Sequence, residues 1–303
     1  MPTAPSFAQP SRTGRGNALP KLFRTDMLKA TFATVLAYGP GGAGKTYSIR
    51  TLKDGRKNPI VIACELGETH GLLSLQSDGV PFVVVQNHAE LIEVVREMKK
   101  KPGKIEYEQE EFGSVVLDSL TQWGEFPLER YAELKGWEDL ATPAAHKDPR
   151  MAYGFLAEKG RQLYKEMFSL HGHLYIIARE GLFGGEGEPQ FAAPELPGQK
   201  LPREVPGWPD ATVRLRVVSG KHVMVTQGEG GSPARVRLPA DYARLPLRCN
   251  PNISALMDYM CGDRNALRLL EPASKEATGN QSASASTGAT APTSGAQPQT
   301  VSK

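Results

Sequence analysis

Eight consecutive residues carry chemistry by type and spacing. They read Gly39-Pro40-Gly41-Gly42-Ala43-Gly44-Lys45-Thr46 and fit G-x-x-x-x-G-K-[ST]. Glycines reach backbone dihedrals that other residues avoid, so successive N–H groups can converge on phosphate oxygens. A helix starting here, with Tyr47 in its first turn, adds its positive end to the same anion. The Lys45 ammonium suits β- and γ-phosphates, and the Thr46 hydroxyl suits Mg²⁺. Gly39 through Tyr47 are therefore expected to bind a nucleotide, with ATP and Mg²⁺ as cofactors.

A phosphate loop needs a carboxylate on the metal side. Phe112-Gly-Ser-Val-Val-Leu-Asp118-Ser119 supplies one: an apolar strand ending in Asp118. The residue after it is Ser119, where many AAA+ ATPases and helicases carry a catalytic Glu. The Asn-Lys-x-Asp guanine-reading motif of GTPases is absent. A different acid, Glu65, ends the apolar run Val61-Ile-Ala-Cys. Strand ends beside a phosphate loop share one crevice in a parallel sheet, so Glu65 is placed to polarise an attacking water. Glu65 and Lys45 are the expected catalytic pair, and Thr46 and Asp118 the expected metal ligands. A solvated loop acid at 65 and a turn-capping acid at 118 are the plainer alternatives.

These residues need a sheet to hold them. Thr34–Tyr38, Pro59–Cys64, Pro81–Val85, Ser114–Asp118 and His173–Ala178 are short β-branched or aromatic runs, read as buried strands. Helical stretches lie between them at Lys45–Leu52, His88–Lys101 and Met151–Leu170. In the second, Leu91, Val94, Val95 and Met98 recur at the spacing of one buried face. Strand–helix alternation implies an α/β fold with a mainly parallel central sheet flanked by helices. After residue 180 the pattern changes. Gly181–Pro209, rich in Gly and Pro, is read as a long loop of the kind that is functional or disordered. Ala211–Val218 and His222–Gln227 read as a C-terminal β-hairpin, Ala234–Leu238 as a further strand, and Ile253–Met260 as a closing helix.

The 303 residues divide unequally. Residues 1–20 are basic and Pro/Ser-rich, and 271–303 are Ala, Ser, Thr, Gly and Gln with little else. Neither end buries enough apolar surface to offset its ordering entropy, so both are expected to be disordered. Residues 21–270 remain as one ATPase-sized domain. No apolar run approaches the roughly 18 residues of a membrane span, and no signal-peptide core opens the chain. Cys64, Cys249 and Cys261 are odd in number and lack CxxC spacing, which fits a reducing cytoplasm and no zinc site. His171-Gly-His173 lacks supporting Cys or carboxylate and reads as surface histidines. Charge is uneven. Residues 65–149 hold eight Lys and Arg against 17 Asp and Glu, whereas 203–248 hold eight against four. A basic segment of that kind suits a polyanion, although an unevenly decorated surface explains it equally.

A phosphate loop on strand one, Glu65 ending strand two and Asp118-Ser119 ending a later core strand resemble RecA-type recombinases. Leu28-Lys-Ala-Thr-Phe-Ala-Thr-Val-Leu-Ala-Tyr-Gly and Pro206-Gly-Trp-Pro-Asp-Ala-Thr-Val-Arg-Leu-Arg-Val are similar to segments of the phage-encoded RecA-like ATPases, which include single-strand annealing recombinases. The resemblance implies DNA-stimulated ATP hydrolysis and action on single-stranded DNA in phage-type recombination. It also implies a homo-oligomeric ring or filament, possible contact with a single-strand-binding protein, and the host cytoplasm as location. By position it makes Arg179 or Glu180 the γ-phosphate sensor, where Gln or His is more usual. It makes Phe183, Phe191, Lys200 and Arg203 the DNA-binding loop residues, with Trp123 and Phe126 a looser site that suits helix packing equally well. The same resemblance puts a trans-acting cation near the last hairpin, where Thr226 and Gln227 stand; Lys221, Arg235 or Arg237 are the substitutes. An ATPase driving a protein partner, such as a helicase loader or packaging motor, shares all the phosphate-loop features. A small-molecule phosphotransferase would need lid arginines, and Gly181–Gln199 has none.

Overall fold

A computed structural model describes residues 30–64, 69–142, 144–184 and 189–271, all inside a compact unit that extends to Ala273. The arm read over 1–20, the tail beyond 271 and Glu65 lie outside the described residues. Among the described residues, no helix is long and apolar enough to cross a membrane.

Strand β1 (Thr34–Gly39) runs into the phosphate loop. Regular helix begins later than Lys45: a 3-10 turn at Tyr47–Ile49 precedes α1 (Arg50–Asp54). The hydroxyls of Ser48 and Thr51 donate to the carbonyls of Lys45 and Ser48, and this side-chain competition tightens the first turn. All of β2 (Pro59–Ala63) is buried, as a strand covered on both faces should be. A short α2 (Thr69–Leu72) leads to β3 (Phe82–Val84) at the sheet edge. Asn87 caps α3 (His88–Met98) by accepting from the Glu90 N–H, while Glu90 accepts from the Gln86 N–H, one residue before the cap. A small hairpin that the periodicity does not announce, β4 (Ile105–Tyr107) and β5 (Glu110–Phe112), precedes β6 (Ser114–Asp118). Then come α4 (Leu120–Trp123), α5 (Glu125–Lys135) and α6 (Pro149–Met167), the last with Pro149 in its first turn.

The described residues of the segment read as a long loop carry regular structure. Strand β7 (His173–Phe183) continues past Ala178 and pairs antiparallel with β8 (Phe191–Pro194), setting Phe183 opposite Phe191. After it come α7 (Lys200–Glu204) and a 3-10 turn, with Leu201 and Val205 buried. Dense Gly and Pro hid this order. Ala192 and Ala193 are small enough to bury against the sheet, and Pro206 stands in a first turn, where its missing N–H costs nothing. Strands β9 (Ala211–Val218) and β10 (Lys221–Val225) form the expected hairpin around Ser219 and Gly220. Both turn residues have positive φ, as a two-residue primed turn requires. A short β11 (Arg235–Val236), β12 (Arg248–Cys249), α8 (Ile253–Met260) and α9 (Leu267–Leu270) complete the order.

The main sheet runs β12-β10-β9-β1-β7-β6-β2-β3, parallel from β9 to β3 and antiparallel at the β10 edge. Alternate β1 residues face two cores. Leu36 and Tyr38 join α3, α5 and α6 on one side; Val35 and Ala37 join α1 and α8 on the other.

His173 is not a surface histidine. It is half-buried at the start of β7, its Nδ1 accepts the Ala33 N–H at 3.2 Å, and Phe32 meets its ring edge-on. Burial pushes its pKa down to about 4, with Lys57 adding to the effect. A histidine in the unfolded chain titrates near 6.5. Between those values the unfolded chain takes a proton that the native one refuses, so stability falls as pH drops from about 6.5 toward 4. Urea unfolding across that window is expected to show the loss. His173→Gln, which keeps an acceptor but no titrating ring, is expected to flatten it; an unchanged slope would refute the assignment.

Candidate nucleotide site

The phosphate loop follows β1 at the carboxyl end of the parallel strands. Gly39 is required by crowding: a Cβ there would lie 2.2 Å from the Leu215 carbonyl oxygen of β9. Gly42 and Gly44 adopt positive φ, the conformation that turns successive N–H groups to one side. The Ser48 N–H bonds to the Gly44 carbonyl and the Ile49 N–H to that of Thr46, closing the turn into α1. The Lys45 ammonium donates to the carbonyls of Gly39 and Pro40, each at 2.8 Å. This holds the charge at the mouth of the loop.

Strand β6 brings Asp118 to that loop. Its carboxylate is 5% exposed, and Oδ2 accepts from the Thr46 hydroxyl at 2.9 Å. The two expected metal ligands are thus in contact, although β7 separates their strands. A hydroxyl and a buried carboxylate are the hard oxygen donors that Mg²⁺ takes. Strand β2 ends at Ala63, in register with Asp118, and the Cys64 N–H bonds to the Asp118 carbonyl. This strand therefore delivers the chain to the Asp118 side of the crevice. Ser119 caps α4 by accepting the Gln122 N–H.

Two anchors were not apparent from the motif. Tyr175 of β7 is fully buried beneath the loop; its hydroxyl shares a 2.7 Å hydrogen bond with Ser48 and donates to the Lys45 carbonyl at 3.3 Å. Burial pushes its pKa up, so the phenol stays protonated and able to donate. The signal was a lone Tyr within an apolar strand. His222 of β10 reaches over from the hairpin: Nδ1 lies 3.1 Å from the Ala43 carbonyl, and a Cβ on Gly44 would come 3.1 Å from that same nitrogen. The contact makes Nδ1 the donor. An isolated His on a hairpin strand gives no sequence signal for this.

The remaining expected residues fall into separate groups. Arg179 lies level with Gly39; its N–H donates to Thr121 Oγ1 and its guanidinium pairs with Glu195 at 3.2 Å. Glu180 forms a bidentate pair with Arg214 of β9, both contacts 2.7 Å and both side chains largely shielded. Phe183 and Phe191 face one another on the β7–β8 ribbon, rings 6.2 Å apart, beside Leu182, which is 70% exposed. Lys200 pairs with Glu204 and Arg203 is exposed, both on α7. Lys221 stands at the hairpin tip, at the phosphate-loop end. Arg235 and Arg237 lie at the other end of β9, where both donate to the Gly207 carbonyl. Trp123 and Phe126 are buried in the helical core, as their packing alternative has it. Among the described residues no cluster of His, Cys, Asp or Glu could hold another metal.

Two substitutions separate the roles of this site. Lys45→Ala is expected to abolish nucleotide turnover with the fold intact by circular dichroism. His222→Ala removes one loop-fixing hydrogen bond of about 1 kcal/mol and is expected to weaken nucleotide affinity about five-fold by titration calorimetry. Undiminished turnover or affinity would overturn the respective assignment.

The crystal structure of the RadB recombinase is among the similar solved structures, at 17% identity over 64% of this chain and 80% of that one, with a TM-score of 0.32. No curated protein matches the chain. The AAA domain family matches residues 31–238, from just before β1 to just past β11. One strand, β7, stands between the phosphate-loop strand and the Asp118 strand. With that match spanning well over half its length, the chain belongs to the AAA domain family.

Proposed function

We propose that this protein hydrolyses ATP and acts on single-stranded DNA, annealing or pairing strands in phage-type recombination in the host cytoplasm. The observation that carries the ATPase part is the Thr46–Asp118 contact directly behind Lys45, at the open end of parallel strands. In this reading the loop N–H groups and Lys45 hold the β- and γ-phosphates, while Thr46 and Asp118 hold Mg²⁺. The metal, when bound, neutralises charge on the phosphate oxygens. Glu65 accepts a proton from water as its oxygen bonds to the γ-phosphorus and the bond to the β-phosphate oxygen breaks. Arg179, level with Gly39, is the group we assign to sensing the γ-phosphate.

The DNA part is supported by the β7–β8 ribbon. It leaves the same strand end and carries Phe183 and Phe191. Bases stack on aromatic rings at about 1–3 kcal/mol each without regard to sequence. Lys200 and Arg203 would add phosphate contacts, and Lys221 is the cation we assign to reaching a neighbouring subunit in a ring or filament. A second reading, an ATPase that drives a protein partner, is favoured by the exposed Leu182, which suits an apolar protein surface.

The test measures ATP turnover with and without a thymidine oligonucleotide at about 50 mM salt, where phosphate contacts are strongest. Stimulation is expected, and Phe183→Ala is expected to weaken oligonucleotide binding about ten-fold or more with basal turnover unchanged. Turnover that ignores DNA but responds to a replicative helicase would move the assignment to the second reading.

A further inference from the structure

We propose that the pocket between β10 and β11 is a second phosphate-binding site, separate from the phosphate loop. Strand β10 leaves β9 opposite Arg214, and β11 joins β9 opposite Thr212. The gap is a cavity of about 290 Å³, at the small end of ligand pockets. Arg235, Arg244, Thr226 and Gln227 line it, and no acid does. Thr226 and Gln227 donate to the Pro246 and Leu245 carbonyls, which ties the 244–247 turn to the end of β10 and fixes one wall.

The charge arrangement points to an anion. Cations nearby are neutralised: Arg214 by Glu180, Arg216 and Arg248 by Glu229, Arg264 by Asp241. Those at the pocket are not. Among the described residues Arg244 has no hydrogen-bond or ion-pair partner, although it lines the cavity. Arg235 and its neighbour Arg237 are brought side by side, both donating to the Gly207 carbonyl. Burial and the adjacent Arg237 push the Arg235 pKa down, the mark of a cation without enough negative charge around it. Asp210, the acid whose charge partly offsets this, is engaged: its Oδ2 accepts from the Thr34 N–H and hydroxyl. Guanidiniums gathered without a carboxylate match phosphate, whose oxygens take their forked donors in pairs. The phosphate can belong to a nucleic-acid backbone or to a free small molecule.

The experiment uses the full chain with Lys45→Ala, which weakens the phosphate loop, and adds Arg235→Gln, Arg244→Gln or a charge-matched control, Arg268→Gln on α9. Inorganic pyrophosphate is titrated calorimetrically, and a labelled 20-mer of thymidine is titrated by anisotropy across salt. Arg235→Gln and Arg244→Gln are each expected to weaken one probe at least ten-fold, or to reduce the salt slope of oligonucleotide binding by about 0.7, the share of one single-strand phosphate. The control is expected to do neither. Loss confined to pyrophosphate identifies a small-molecule phosphate as the source; a reduced slope identifies the backbone. Both probes unchanged, or a control as damaging as the pocket variants, overturns the proposal. A chain that ignores the oligonucleotide entirely refutes the DNA reading above, while the pyrophosphate arm still decides the pocket.

Discussion

The hydrogen bond from the Thr46 hydroxyl to the Asp118 carboxylate is the contact on which the arrangement of the site depends. It joins residues 72 positions apart, one in the loop after β1 and one at the end of β6, strands that are not neighbours in the sheet. For the two to meet, β7 must lie between β1 and β6, and its side chains must support the loop from below. Tyr175 does this through Ser48 and the Lys45 carbonyl. The close approach of β9 to Gly39 and the His222 contact confine the loop from the other side. Loop, Thr46, Asp118 and central strands are one packed object.

That dependence explains the uneven legibility of the sequence. The phosphate loop and the Asp118 strand were readable because their chemistry demands residue types at fixed local spacing. The parallel core was readable because buried strands such as Pro59–Ala63 are apolar throughout. Tyr175 and His222 act across separations of more than a hundred residues, and nothing local distinguishes them from an ordinary core tyrosine and an ordinary exposed histidine. Arg214 and its partner Glu180 are only 34 residues apart, but they lie on strands two positions away in the sheet, which no local pattern signals.

The segment after residue 180 was misread for a different reason. Gly and Pro density signals irregular backbone, yet here glycines and alanines admit a close-packed antiparallel partner, with Ala192 and Ala193 buried. His173 was misread because it follows His171 and Gly172 at the very start of a strand, while its neighbours in space are Ala33 and Phe32. In each case a tertiary contact overrode the local signal.

Strand β7 has one more property, and it concerns stiffness. Its 11 residues run without a break from beneath the phosphate loop into the ribbon. Arg179 stands level with Gly39, and Phe183 is four residues further along, about 13 Å at the rise of an extended strand. Between those points there is no joint. The Glu180–Arg214 clamp and the pairing with β8 brace the span on both sides. Such a span behaves as a beam fixed at one end. A tilt of the strand where Tyr175 supports the loop becomes displacement at the aromatic tip, larger in proportion to the distance, with no loop in between to absorb it.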